Sequence, residues 1–450
     1  MQPIRRRILT LALPVILSSV LERTVQIVDI FLVGGLGANA IASVGLSQLL
    51  VFFFLNLLAG LTMGATIMVA QLWGAKRRRE AAQIATQSLR IGILLAVGAS
   101  LLGVAGGSAG AAALGATPEM LGLMHGYLLI IFSLFAFTFI VDQLIATMHG
   151  AGDTRTPMIA VTIVNVLHVL IAYPLIYGHW GAPALGVNGA ALAVGLSEAA
   201  GAAFLFVKAR SAGYVLPLID PSPGRQPGRS WLSSWRQILR VGLPITFDRL
   251  LQQTAQLAYA KIILGYGAVV YAAHQVGLSI EALSFMPGNG FAIAAATAVG
   301  QSIGAHKLAK AKIENWEANR LAVLLMAGMG LLFFCFPYLM LRAFTTDDAV
   351  IGYGTLFLKI VALLQIPLAI TMVVSGSLKG AGDTRFLLLV TVIGAWLVRV
   401  PLAALFSGLG LTIGWIWTVM LIDWTTRMSF VVWRYRSERW QRSAMIDRTT

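Results

Sequence analysis

Gly150-Ala151-Gly152-Asp153-Thr154-Arg155 occurs twice in this chain, the second time unchanged as Gly380-Ala381-Gly382-Asp383-Thr384-Arg385. The offset is 230 residues. The same offset relates Leu13-Pro14 to Leu243-Pro244, and Gln71 with Gly74-Ala75 to Gln301 with Gly304-Ala305. Three landmarks in one register mark an internal duplication of a 450-residue chain, and a fixed period of this kind governs every later reading. The repeated stretch lacks the Gly-Lys-Ser/Thr ending of a phosphate loop. Its plain account is local: glycines end one helix, Asp or Thr caps the next, and Pro157 suits a first helical turn. A gating role for the Asp stays open beside it.

Composition places the duplicated units in a bilayer. Hydrophobic residues make up 58% and charged residues 11%, with mean hydropathy +0.81. A soluble domain carries about 25% charged residues, so this chain has too little charge to cover a water-facing surface. The formal net charge of +15 has a topological origin. Of 33 Lys and Arg, six lie inside apolar spans (Arg23, Arg249, Lys261, Lys359, Arg399, Arg427) and Arg342 lies in a connection on the opposite side. The remaining 26 fall in termini, span ends and connections on one face, which is the positive-inside bias. No basic patch interleaved with aromatics points to nucleic acid. Cys335 is the only cysteine, which excludes an intrachain disulfide and a Cys-based metal site; it reads as a small buried hydrophobe. Arg5-Arg6-Arg7 begins like a signal peptide, but the apolar run continues past Pro14 without a small-residue cleavage site, so a retained span is expected.

Stretches of about 20 apolar residues cross a bilayer. They occur near 8–34, 44–72, 84–108, 120–147, 156–178 and 186–208, then near 238–264, 274–303, 318–341, 352–377, 387–407 and 411–433. The expected fold is an all-α polytopic membrane protein, twelve transmembrane helices in two pseudo-symmetric six-helix lobes. Its parts are an N-terminal lobe at 1–210, a Pro/Gly linker at 211–235, a C-terminal lobe at 236–434 and a cytoplasmic tail at 435–450. The linker holds Pro217, Pro221, Pro223, Gly224, Pro227 and Gly228, a run that cannot continue a helix. Placing Arg5–Arg7 inside puts both termini and both copies of the repeated motif in the cytoplasm.

Ionisable groups inside spans are costly and therefore functional candidates. The acids are Glu22, Asp29, Asp142, Glu198, Asp248, Glu281 and Asp423. Asp29 sits mid-span with no basic residue within one helical turn, and Glu22 lies seven residues earlier on the same helix face. Asp29 reads as a proton or cation site, or as a structural hydrogen bond to a neighbouring helix. Glu22 adjoins Arg23 and Asp248 adjoins Arg249; each needs partners elsewhere, because helix neighbours do not face each other. Asp423 stands four residues before Arg427, the spacing of an ion pair. Asp142 and Glu198 are alone in their helices. His168 is either a proton acceptor or an interhelical hydrogen bond. Pro14, Pro244, Pro174, Pro367 and Pro401 interrupt spans, and kinking of the first helix in each lobe at Pro14 and Pro244 is expected.

Together with Ala272-Ala273-His274-Gln275-Val276 and Val299-Gly300-Gln301 before Gly304, the twelve spans and the doubled motif resemble the MATE (multidrug and toxic compound extrusion) transporters over nearly the whole chain. The resemblance implies an outward-pumping antiporter driven by H⁺ or Na⁺, moving cationic amphiphiles from a cavity between the lobes. It implies that Pro14 and Asp29, fifteen residues apart, match the family's first-helix proline and ion-coupling aspartate. Elsewhere the match departs. Where many members have Asn and Asp on the fifth helix, this chain has His168 and Ala172; a sixth-helix hydroxyl is Val194. In one branch a seventh-helix acid matters; that position is Gln252 here, the repeat mate of Glu22. A tenth-helix acid falls near Leu368, so a C-lobe cation site is not expected. These losses favour protons, since Na⁺ takes several oxygen ligands.

The expected function is thus an H⁺-coupled antiporter of a bacterial inner membrane, exporting small cationic amphiphilic compounds by alternating access. Ion coupling is expected at Asp29, Glu22 and His168. Asp142, Glu198, Gln252 and Asp248 are candidates for the substrate cavity, and no cofactor is expected beyond H⁺ or Na⁺. The expected partners are the substrate and membrane lipid, with no nucleic acid, and the expected state is a monomer. Two alternatives remain, a Na⁺-coupled antiporter and a lipid-linked-sugar flippase that would use basic groups such as Lys261, Lys359 and Arg399. No HExxH, GxSxG or paired-carboxylate metal motif suggests an enzyme.

Overall fold

The computed structural model describes residues 2–211, 214 and 231–445. Most of the Pro/Gly linker expected at 211–235, and the last residues of the tail, lie outside the described residues. The first half forms α1 (Gln2–Gly34), α2 (Ala38–Gly74), α3 (Arg78–Ala113), α4 (Pro118–Ala151), α5 (Arg155–Tyr177) and α6 (Val187–Arg210). The second half forms α7 (Trp231–Leu264), α8 (Ala268–Gly304), α9 (Leu308–Cys335), the short α10 (Pro337–Arg342), α11 (Asp348–Ala381), α12 (Thr384–Thr391), α13 (Val400–Gly408) and α14 (Ile413–Arg436). A π-helical segment, Val392–Arg399, joins α12 to α13, so that Thr384–Gly408 acts as one span.

Ten helices among the described residues are long and apolar enough to cross a membrane. The 34-residue α7 and 24-residue α14 are long enough, but Asp248, Arg249, Asp423 and Arg427 lower their hydropathy. Counting these two gives the expected twelve, six per half. The outer faces are strongly apolar: Leu94, Leu101, Leu324 and Leu331 are each more than 60% exposed, an arrangement suited to lipid and ill suited to water. Cys335, expected to be buried, is exposed instead. It closes α9 on an outward face, where Pro337 ends one helix and starts α10 at its first turn.

The doubled motif serves packing and capping together. A methyl group on Gly150 would collide with the carbonyl oxygen of Thr66, and one on Gly380 with that of Ala296. Thr66 and Ala296 are themselves 230 residues apart, so both halves use the first glycine for the same close backbone approach. Only the second glycine ends a helix: Gly152 at φ 90° and Gly382 at φ 89° occupy the left-handed region. Beyond that the copies part. Asp153 accepts the backbone N–H of Arg155 (3.1 Å) and Thr156 (3.0 Å) and the Tyr214 hydroxyl (2.7 Å). Asp383 instead takes the Arg434 guanidinium at 2.6 and 3.2 Å.

Helix α1 continues through Pro14, and α7 through Pro244, without interruption. The interrupted span is the π-helical one before Pro401, and Pro287 lies unexpectedly inside α8. The chain divides into two compact units that do not follow its halves strictly. One comprises Met1–Ile16, Gly74–Lys76 and Leu243–Thr450; the other comprises Leu17–Trp73 and Arg77–Gly242. Thus α1 changes unit two residues after Pro14, and α7 just before Pro244. Within the first unit, Arg7 pairs with Glu314 and donates to Gln301 Oε1 at 2.6 Å. Within the second, Gly242 packs against the backbone of Gly60.

Burial pushes the Asp153 carboxyl up, but the bonds from Thr156, Tyr214 and Arg155 outweigh it and hold it below its ordinary 3.8. A depressed folded value means that its stabilisation is complete above 3.8 and is lost as pH falls through the folded value. We expect Asp153→Ala to cost about 1 kcal/mol in thermal unfolding in detergent near neutrality. The difference from the parent chain should close in acid; an unchanged gap would contradict this assignment.

Candidate functional site

The intramembrane acids fall into separate groups. Asp29 on α1 and His168 on α5 belong to the same compact unit, where Oδ1 of Asp29 and Nε2 of His168 share a 2.5 Å hydrogen bond. The His168 side chain is 5% exposed and that of Asp29 18%, so water reaches only the carboxylate end. Helix α5 is tied to α1 a second time, by the Tyr177 hydroxyl donating to the Leu32 carbonyl at 2.6 Å. Two clamps on neighbouring turns of α1 fix the carboxylate against the imidazole. Tyr127 on α4, buried and bonded to Gln48 of α2, is close enough for Asp29 to act on it electrostatically.

Glu22 does not join this pair, although it lies two turns away on the same helix. It acts instead on Asp142 of α4 and Glu198 of α6, and these act on each other. Arg23 turns its guanidinium to Gln26 at 3.0 Å. Gly195, one turn before Glu198, lets α6 press directly onto Leu134 of α4. Glu198 Oε2 is buried with no hydrogen-bond partner. Three carboxylates so placed in a low-dielectric setting require compensating positive charge. Among the described residues, no three His, Cys, Asp or Glu side chains are close enough to share one metal ion. The three acids therefore line a region and do not form a single coordination point. Sequence reading treats Asp142 and Glu198 as isolated because their partner is on another helix.

Asp248 and Gln252, on α7, belong to the other unit. Asp248 acts electrostatically on Arg427 and Lys379, and Gln252 is half-buried. The expected Asp423–Arg427 ion pair is present, with Arg427 Nε 2.6 Å from Oδ1. The structure adds Arg399 Nε at 2.7 Å from Oδ2, so this basic group is neutralised. Lys261 and Lys359 are exposed on their helices.

The comparisons with known proteins agree with this architecture. The MatE family model matches residues 14–174 and again 244–405. A probable multidrug resistance protein NorM of Thermotoga maritima is 32% identical, over 99% of this chain and 95% of its own length. The same description applies to a Mesorhizobium japonicum protein, 28% identical over 91% of this chain and 90% of its own. Among solved structures, an outward-facing multidrug resistance MATE transporter of the MOP superfamily superposes with TM-score 0.87, at 22% identity, covering 97% of this chain and 96% of that one. A MOP superfamily transporter from Pyrococcus furiosus, described as having a binding pocket of reversed polarity, superposes with TM-score 0.88 at 22% identity, covering 97% of each chain.

The short Asp29–His168 bond predicts strong energetic coupling. Thermal unfolding of Asp29→Ala, His168→Ala and the double variant should give a coupling energy of about 1–3 kcal/mol. Additive single effects would show that the two side chains do not depend on each other.

Proposed function

This chain belongs to the MATE family of multi-pass membrane transporters, and from that premise we propose that it is an H⁺-coupled exporter of cationic amphiphiles. Asp29 is its coupling carboxylate. The observation that carries the reading is the hydrogen bond between Asp29 and His168 inside the span of α1. An ionised Asp29 accepts from His168; a proton arriving on the carboxylate removes its charge and changes what the bond holds. Since α1 passes from one compact unit to the other near Pro14, a change at Asp29 acts on a helix that both units share. A carboxylate with an imidazole suits a proton, whereas Na⁺ seeks a larger set of oxygens.

Glu22, Asp142 and Glu198 supply negative charge over a region spanned by three helices. That breadth suits an organic cation with dispersed charge. In the proposed cycle the ionised acids bind the substrate and protonation weakens their hold, giving alternating access with proton and drug exchanged. The proposed setting is a bacterial inner membrane with both termini in the cytoplasm. No observation favours the flippase reading, because Arg399, one of its basic groups, is spent on Asp423.

Everted vesicles carrying the protein, a fluorescent cationic dye and either a pH or a Na⁺ gradient test the proposal. A pH gradient alone should drive dye movement, and Asp29→Asn should reduce that rate at least about tenfold, a loss of about 1.4 kcal/mol in driving interaction. Dye movement that requires Na⁺, or survives intact in Asp29→Asn, would overturn proton coupling at this residue.

A further inference from the structure

The second half carries a buried polar network that the exporter reading leaves unused. Its frame follows from the duplication. Tyr259 stands 230 residues after Asp29. The two family matches are offset by 230 at their first residues and 231 at their last, and the π-helical segment accounts for one added residue before Arg399. Arg399 is then the counterpart of His168, at an offset of 231. The titratable Asp–His pair of one half is a Tyr–Arg pair in the other, with the Arg399 guanidinium 5.7 Å from the Tyr259 ring centre.

Arg399 and Arg427 flank a single acid, Asp423, and all three are buried. Two fixed cations and one anion leave a net positive charge out of water, and a further anion is needed nearby. Glu281 on α8 is buried, and Arg399 is the charged group acting on it. Two turns away on the same helix face, His274 is fully buried with both ring nitrogens unpartnered. Its ring sits edge-on to Tyr259 at 6.1 Å and Phe357 at 5.2 Å. Phe357 in turn rests on Gly277, between His274 and Glu281, and meets Trp417, whose Nε1 is also buried and unpartnered. Unpartnered polar atoms in so enclosed a place call for water.

We propose that Glu281 is a second proton-binding carboxylate, neutralised by Arg399 when ionised and supplied with protons through His274. This rests on the proton-coupled reading and extends it to two protons per cycle. The titratable and charged groups around Glu281 are His274 on its own helix, Tyr259 on α7, Arg399 before α13, and Asp423 and Arg427 on α14. Helices α9 and α11 also pack on α8 but bring no charge acting on Glu281 among the described residues.

Proton uptake by purified full-length protein in detergent, stepped from about pH 8 to about pH 5, tests this without gradient or substrate. Glu281→Gln should take up one proton fewer than the parent chain, and the Glu281→Gln, Asp29→Asn double variant two fewer. Uptake by Glu281→Gln equal to the parent overturns the proposal. Should that variant fail to fold, Glu281→Asp carries the test: it should keep the step with a moved midpoint, and an unmoved midpoint overturns the proposal. The Asp29 reading fails separately, if Asp29→Asn alone leaves uptake unchanged while Glu281→Gln lowers it.

Discussion

An unpartnered charge inside hydrocarbon costs several kcal/mol, and the polar interior of this protein is arranged around that cost. Asp29 meets it with the imidazole of His168. Asp423 meets it with two guanidinium groups, which hold the charge fixed because arginine does not release its proton. The first solution can change state within the physiological pH range and the second cannot. One half of the molecule is therefore built to respond to protons through its first helix, while the matching place in the other half is locked.

The duplication makes that contrast legible, because the scaffold is shared. Gly150 against Thr66 and Gly380 against Ala296 are the same helix crossing built twice. On this common frame Asp29 has become Tyr259, and the position of His168 is filled, through one π-helical residue, by Arg399. Packing constraints kept the glycines where backbones touch. The polar positions, which backbone packing does not dictate, were free to diverge.

Much of the fold was readable in the chain itself, for physical reasons. Repeats, apolar stretches and one-sided basic residues are each set by the bilayer, and they placed twelve helices in two sixes. Asp423 with Arg427 was readable because four residues make one helical turn. Contacts between helices were not. Nothing local to Asp142 or Glu198 shows that Glu22 lies beside them, and nothing near Glu281 shows Arg399. Proline also misled: Pro14 and Pro244 suggested interrupted helices, yet both helices run through, since the first turns of a long helix can lose one backbone donor without ending. Pro337, in a stretch read as continuous span, is the proline that ends α9.

The central claim is that protonation at Asp29 changes the state of α1. Amide hydrogen exchange along residues 14–29, corrected for intrinsic rates and compared at acidic and alkaline pH, measures this most directly. The account predicts that protection in the parent chain changes between the two conditions. It also predicts that Asp29→Asn shows the acid profile at both. A parent profile that does not change with pH, or an Asp29→Asn profile that changes as the parent's does, would contradict it.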